Sequence, residues 1–365
     1  MSYPQIQSTS DYLGALKDAD YWQAQPSLDD NQGAILDGPE YLNFMNFEAA
    51  GSAVTYDSNS FAPDSASTAT SISTGHKTYS GSINVDETGT IEYETIAEQL
   101  KAQKGWEIGV ITSVNLNHAT PAAFYAHQAS RSSYYEIGLE LVESGFDYFA
   151  GGGLLKPTGS SGDQTDLYEL AQEAGYTVAK THAEADAIGT NTEKAIIIDE
   201  DLADSDAMAY ELDRTDDMWA LADYVAKGIE VLDNDTGFFM MCEGGKIDWA
   251  CHANDAASSI HDTQALADAV QVAIDFAKEH ADETLILVTG DHETGGLTIG
   301  FAGTDYDTYL DLLENQKISF AKYDSDYVAS YKANKTPFET VLADIEKLFG
   351  LKAQGEEGDK LVLTA

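Results

Sequence analysis

Four short stretches bring together residues able to do polar chemistry. The first, PDSASTATSISTG (63–75), places Ser65 where a helix can begin, because Ala66, Ala69 and Ile72 recur every three residues and Gly75 is a good helix stop. A serine at a helix N-terminus faces the positive end of the helix dipole, which favours an alkoxide and an incoming phosphate. Taken alone, the same stretch reads as a Ser/Thr-rich loop. The second, NHATPAAFYAHQASR (117–131), sets Thr120 before Pro121 at a helix start, with Arg131 eleven residues on, three turns down. Arg131 is either a surface cation or a bidentate clamp for an oxyanion. His118 and His127 read equally well as ordinary polar residues.

The third stretch, EGGKIDWACH (243–252), follows an apolar run directly. One helical turn would put Asp248 and His252 on a single face, a spacing suited to a shared metal, and Glu243 offers a hard oxygen ligand of the kind Mg2+ prefers. The fourth, LVTGDHETGG (287–296), runs an apolar strand into Asp291 and His292. Adjacent strand residues point to opposite faces, so the strand must end at Gly290 for both to reach one site. Otherwise the pair is a charged turn that caps a strand. No stretch alone specifies a function. Together they supply a nucleophile, an oxyanion clamp, two N/O metal sites and one hard oxygen site.

Such residues need a frame. Apolar, β-rich runs lie at Glu107–Val114, Phe146–Ala150, Lys194–Ile198, Gly237–Cys242 and Thr284–Thr289, several without alternation. Continuous runs predict strands covered on both faces, as in a helix-flanked parallel sheet. Amphipathic segments at Tyr93–Gln103, Asp166–Ala174, Asp216–Leu232 and Ala256–Glu279 fall between or beside them, the third opening at Thr215 with Asp216 and Asp217. The pattern predicts an α/β three-layer sandwich with a mostly parallel central sheet. The four chemical stretches then lie at strand ends or helix starts, where ligands collect in such sheets. The chain reads as a single domain over 1–365, with 300–365 a helical excursion from it.

The 365 residues are 43% hydrophobic, enough for a sizeable core, and no apolar run approaches a membrane span. With 19 Lys+Arg against 63 Asp+Glu, the formal charge of −44 argues against a nucleic-acid-binding face. The acids are scattered, which reads as solubility or adaptation to salt or an exposed compartment. An anionic substrate would meet an opposing field, so metals or an arginine must reverse the potential locally. Cys242 and Cys251 are expected as unpaired thiols, although their closeness leaves a bridge open.

These stretches together resemble the alkaline phosphatases. The nucleophile helix followed by TGHKTYSG, the HATPA…R block, EGGKIDWACHANDA and TGDHETGG stand in family order from about Pro63 to Gly296, and FDYFAGGG between them is family-like too. The resemblance implies a phosphomonoesterase using two zinc ions and one magnesium ion. It implies Ser65 as the nucleophile that becomes a phosphoserine and Arg131 as the phosphate grip. It implies Asp248 and His252 on one zinc, Asp291 and His292 on the other, and Thr120 and Glu243 on the magnesium. Asp64, His118 and Trp249 fall at neighbouring supporting positions, the last two where the family varies. Small phosphate monoesters as substrates, export from the cytoplasm and a possible homodimer are also implied. A phosphodiesterase or sulfatase relative is the competing enzyme reading. DSASTAT is not a sulfatase motif, and diesterases commonly lack the Thr120–Arg131 block. A non-catalytic metal- or phosphate-binding remnant is the competing non-enzyme.

Two family features have no counterpart here. A Gly-Asp-Gly-Met stretch at the end of the first strand carries a bridging aspartate in the family, and a late histidine completes the first zinc site. This sequence contains no such stretch and no histidine after Gly300. The chain is therefore expected to be cut at both ends, with Met1 as the methionine of that stretch. Four buried apolar side chains of a first strand would contribute roughly 6–12 kcal/mol, against about 5–15 kcal/mol for a whole domain. The 365-residue chain is thus expected to be poorly folded or inactive and a version extended at both ends active. Assays of p-nitrophenyl phosphate hydrolysis with zinc and magnesium compare the two, and full activity in the short chain refutes the expectation.

Overall fold

The apolar runs do build the sheet. A computed structural model of the chain describes residues 41–298, 310–356 and 358–363, so the expectation placed on Met1 lies outside the described residues. The strands are β1 (Glu107–Asn115), β2 (Tyr148–Gly152), β3 (Thr177–Ala179), β4 (Ala195–Ile198) and β5 (Phe238–Glu243). Their order is β3-β4-β2-β1-β5, and every pairing is parallel. The helices are α1 (Ser65–Thr74), α2 (Ile96–Lys104), α3 (Ala119–Ala122), α4 (Tyr134–Ser144), α5 (Leu167–Glu173), α6 (His182–Asp186), α7 (Leu221–Leu232), α8 (Gly245–His252), α9 (Ala256–Glu279) and α10 (Phe338–Phe349).

Strand alternation divides the core into two layers. Ile108, Val110, Phe149, Ile196 and Ile198 face α1 to α5. Ile111, Tyr148, Ala150, Ala195 and Ile197 face α6, α7 and α9. Both faces are covered, which is why the strands read as unbroken apolar runs. Gly151 permits the close approach of β2 to β1. Its φ is +140°, and a Cβ there would stand 1.9 Å from the Thr112 carbonyl oxygen. The ladder slips just beyond, between Thr112 and Asn115. The FDYFAGGG stretch therefore keeps two of its glycines in the strand, so β2 begins and ends two residues later than the apolar run.

Three expectations are corrected. Thr284–Thr289 forms no strand and pairs with none among the described residues, and Leu285 and Leu287 are 80% and 81% exposed. A strand needs a hydrogen-bonded neighbour as well as apolar side chains, and β5 bonds only to β1. The helix expected from Asp216 begins at Leu221, because the Thr215 hydroxyl is spent on Asp217 and Asp223 reaches back 2.7 Å to the Ala220 N–H. The helix expected to carry Thr120 to Arg131 stops at Ala122, and Arg131 stands on a later turn. The short β3 was not foreseen. The described residues after 310 are largely helical, and Cys242 and Cys251 are both free.

Substituting Ile111, wholly buried in the second layer, by alanine should cost about 2–5 kcal/mol in chemical denaturation. Leu287→Lys, on the exposed 284–289 segment, should change stability by no more than about 0.5 kcal/mol.

Candidate active site

The site begins with a helix cap. Asp64 is the N-cap of α1, and its Oδ1 accepts the Ser67 N–H at 3.1 Å, while Gly75 ends the helix in the left-handed conformation. Ser65 is therefore the first helical residue, buried to 8% exposure, with its hydroxyl at the dipole's positive end. Its Oγ lies 3.1 Å from Nε2 of His292. The same ring nitrogen lies 3.3 Å from Oδ2 of Asp291.

Helix α8 follows β5 after Gly244 and brings Asp248 and His252 together at 3.5 Å, one turn apart. The 291–296 turn lies against α8 because Gly295 adopts φ +76°, where a Cβ would meet the Cys251 carbonyl oxygen at 2.3 Å. Thr294 joins the two pairs. Its hydroxyl donates to Asp248 Oδ1 at 2.6 Å and stands 3.2 Å from Nδ1 of His292. A continuous path of short contacts thus runs Ser65–His292–Thr294–Asp248–His252.

Glu243, the last residue of β5, accepts a 2.5 Å hydrogen bond from Thr112 on β1. Burial pushes its carboxyl up to about 7, with the Asp291 and Asp248 charges adding to the rise and the Thr112 hydroxyl opposing it. Glu243 thus feels the charges of Asp291 and Asp248, and among the described residues no Lys or Arg forms an ion pair with any of the three. The buried Thr120 hydroxyl makes no hydrogen bond of ordinary geometry, though it lies close enough to Glu243 to favour its charged form. Convergent anions beside an orphaned hydroxyl are a donor set that fits hard or borderline divalent cations.

Arg131 reaches the same place from its turn, where its N–H donates to the Gly81 carbonyl at 2.7 Å. Nη1 donates to Asp64 Oδ2 at 2.8 Å, and Nη2 lies 3.5 Å from Nε2 of His118. Burial, then the Arg131 charge, drives His118 down to about 4, so it is neutral near pH 7. Burial works against the Asp64 charge, but Arg131 and the Gly81 and Ser67 N–H groups outweigh it and hold the carboxyl low. His118 packs edge-on against Trp249 at 5.8 Å, and Trp249 in turn covers the Nζ of wholly buried Lys246 at 4.7 Å.

The residues singled out in the sequence thus fall in one neighbourhood, but the metal-type residues meet as pairs. Among the described residues no third His, Cys, Asp or Glu closes on either pair. The one threefold grouping, with ligand atoms within 4.8 Å of each other, is His182, Asp199 and Asp201, beyond the β4 end. Thr294, Thr112 and Lys246 were not foreseen. Thr294 carried a signal, as a hydroxyl within the Gly-bounded turn of His292. Thr112 carried none, because a threonine in an apolar run reads as a β-former.

This geometry is that of a parallel α/β sheet with a helix-capped serine, an arginine and a cluster of metal-type ligands at its strand ends. The alkaline phosphatase family profile matches residues 19–347, and the chain belongs to that family. It is similar to alkaline phosphatase 4 of Bacillus subtilis (strain 168), 32% identical over 80% of this chain and 61% of the relative. It is 30% identical to the alkaline phosphatase of Schizosaccharomyces pombe over 90% of this chain and 62% of that one. The chain thus spans about three-fifths of the length of these curated relatives. Its fold is similar to a cold-active alkaline phosphatase from a psychrophilic Shewanella sp., with TM-score 0.73, 29% identity, and 95% and 78% of the two chains covered. A variant of the alkaline phosphatase from TAB5, described as having Mg bound in its M3 site, matches at TM-score 0.64 and 33% identity over 71% and 72%. No helix among the described residues is long and apolar enough to cross a membrane.

The raised Glu243 carboxyl predicts a pH signature in metal-free protein. Folded chains hold this proton up to about pH 7, unfolded ones only to about pH 4.5, so its stabilising contribution is complete below pH 4.5 and lost as pH rises towards 7. In EDTA, thermal midpoints followed from pH 4.5 to 7.5 should show this loss, and Glu243→Gln should remove it.

Proposed function

We propose that the protein hydrolyses phosphate monoesters through a phosphoserine at Ser65. The observation that carries this is the double use of Asp64. One carboxylate caps the helix that presents Ser65 and holds the guanidinium of Arg131 at 2.8 Å. Nucleophile and anion grip are therefore fixed relative to each other before substrate arrives, which is what phosphoryl transfer demands of a protein.

In this reading the Ser65 Oγ attacks phosphorus, the ester P–O bond breaks and the alcohol leaves. Water then attacks the phosphoserine, the P–Oγ bond breaks, and inorganic phosphate and free Ser65 result. Arg131 holds the equatorial phosphoryl oxygens, and the N-terminus of α1 stabilises the charge on Oγ. Neutral His118 stands beside Arg131, backed by the ring of Trp249. Two zinc ions, one at Asp248 and His252 and one at Asp291 and His292, and a magnesium ion at Thr120 and Glu243 complete the assignment. When bound, such ions neutralise phosphoryl charge and acidify a coordinated hydroxyl or water. They also offset the convergent carboxylates, which gives an anionic substrate a locally positive seat in a chain of net charge −44. The TAB5 variant described with bound Mg supports the magnesium part of this inventory. We assign the whole chain to one catalytic domain, with 300–365 an excursion from it, and we place the enzyme outside the cytoplasm.

The active form, whether the 365-residue chain or a version extended at both ends, should when loaded with zinc and magnesium hydrolyse p-nitrophenyl phosphate faster than bis(p-nitrophenyl) phosphate, and EDTA should abolish the reaction. Ser65→Ala should lose both turnover and phosphate labelling of the protein. Arg131→Ala should lower kcat/KM by about 100- to 1,000-fold. Diester preference, or turnover retained by Ser65→Ala, refutes the reading.

A further inference from the structure

Asp57 belongs to none of the four chemical stretches, yet it is one of the more thoroughly bound carboxylates in the molecule. It is 4% exposed, and no Lys or Arg pairs with it among the described residues. Its charge is satisfied by hydrogen bonds alone. Oδ1 accepts the N–H groups of Asn59 at 2.9 Å and Ser60 at 2.6 Å, and Oδ2 accepts the hydroxyls of Ser67 at 3.0 Å and Ser80. These bonds outweigh the burial that opposes ionisation, so the carboxyl stays low and charged.

The two hydroxyl partners lie on the two segments that hold Asp64. Ser67 is in the first turn of α1, and its N–H donates to Asp64 Oδ1 at 3.1 Å. Its hydroxyl stands between two carboxylates, 3.0 Å from Asp57 Oδ2 and 2.9 Å from Asp64 Oδ1. The two carboxylates share this one donor, so moving either changes the bond to the other. Ser80 precedes Gly81, whose N–H donates to Asp64 Oδ1 at 2.9 Å and whose carbonyl accepts the Arg131 N–H at 2.7 Å. Asp57 therefore clamps the start of α1 to the 80–81 turn, and of its two hydroxyl partners Ser67 bonds Asp64 and Ser80 neighbours Gly81, which does. With Oδ1 of Asp64 occupied by these N–H groups, Oδ2 faces Arg131.

We propose that Asp57 is a positioning residue for the anion grip, acting through Ser67 and the Ser80–Gly81 turn to fix Asp64 and thereby aim Arg131. The proposal rests on the reading of Arg131 as the group that holds the phosphoryl oxygens. It gives the 57–60 loop a part in the reaction without contact with the substrate.

The test uses the full chain loaded with zinc and magnesium. Asp57→Ala should raise KM for p-nitrophenyl phosphate and the inhibition constant of inorganic phosphate by about 10-fold or more, since small misplacements of a substrate clamp are costly. Asp86→Ala is the control. Asp86 also gathers local N–H and hydroxyl groups, from Thr88, Thr90 and Ile91, but it has no link to Asp64, and its loss should leave both constants within about twofold. The deciding measurement is a double-mutant cycle, because a merely structural role would lower the melting temperature without coupling to Arg131. In an Arg131→Ala background, Asp57→Ala should cost less than about threefold further. Full additivity, or an unchanged phosphate constant in the single variant, overturns the proposal. Wild-type protein that neither turns over the monoester nor is protected by inorganic phosphate, both as the 365-residue chain and as a version extended at both ends, overturns the phosphatase reading, and this proposal falls with it. An active wild type with an indifferent Asp57→Ala overturns this proposal alone. If Asp57→Ala does not fold, Ser80→Ala, which removes one of the two clamped hydroxyls, should show the same coupling at reduced size.

Discussion

The Asp64 carboxylate is the contact on which the rest of the site depends. It accepts the Ser67 N–H of α1, ties in the turn at Gly81 and pairs with Arg131, so three segments meet on one group. A capping bond of this kind usually contributes about 1 kcal/mol to a helix. Here the larger consequence is geometric, since Ser65 and Arg131 take their places from the same two oxygens. The neighbouring Asp57 extends that arrangement outward, through hydroxyls rather than opposite charges.

Electrostatics shape the other half of the site. A chain this acidic repels anions at long range, and the convergence of Glu243, Asp248 and Asp291 deepens the negative potential locally. Burial, with the Asp291 and Asp248 charges adding to it, raises the Glu243 carboxyl to about 7 in metal-free protein. Cations would act the other way, by keeping the carboxylates charged. The same residues thus read as strain without ions and as a seat with them. Thr294 and Thr112 orient this cluster by donating to Asp248 and Glu243.

The edge of the sheet explains why one apolar run stays out of the core. β5 lies half-buried along its whole length and bonds only to β1. Thr284–Thr289 runs from the end of α9 to Asp291, yet no described strand lies beside it, and its leucines face solvent. Its composition matches that of β4. Only the presence of a neighbour separates the two fates, because backbone groups in a sheet need partners that side chains cannot supply.

Much was legible in the residues themselves. Unbroken apolar runs announced strands covered on both sides, the Ala66–Ala69–Ile72 spacing with Gly75 announced α1, and the Asp248–His252 interval announced one helical face. These are local signals, set by backbone period and turn chemistry within a few residues. The boundaries of α3 and α7 were misjudged because competing local hydrogen bonds, such as Asp223 to Ala220, are decided by side-chain rotamers. Other features required the assembled fold. Thr294 bridges 46 positions to Asp248, Arg131 bridges 67 to Asp64, and Thr112 bridges 131 to Glu243. No periodicity encodes such pairings. By itself the sequence determined the layer order and the inventory of chemical groups. Which of those groups touch, which carboxyls rise or fall in pKa and which apolar run goes unpartnered depend on contacts between distant segments, and only the tertiary structure decided them.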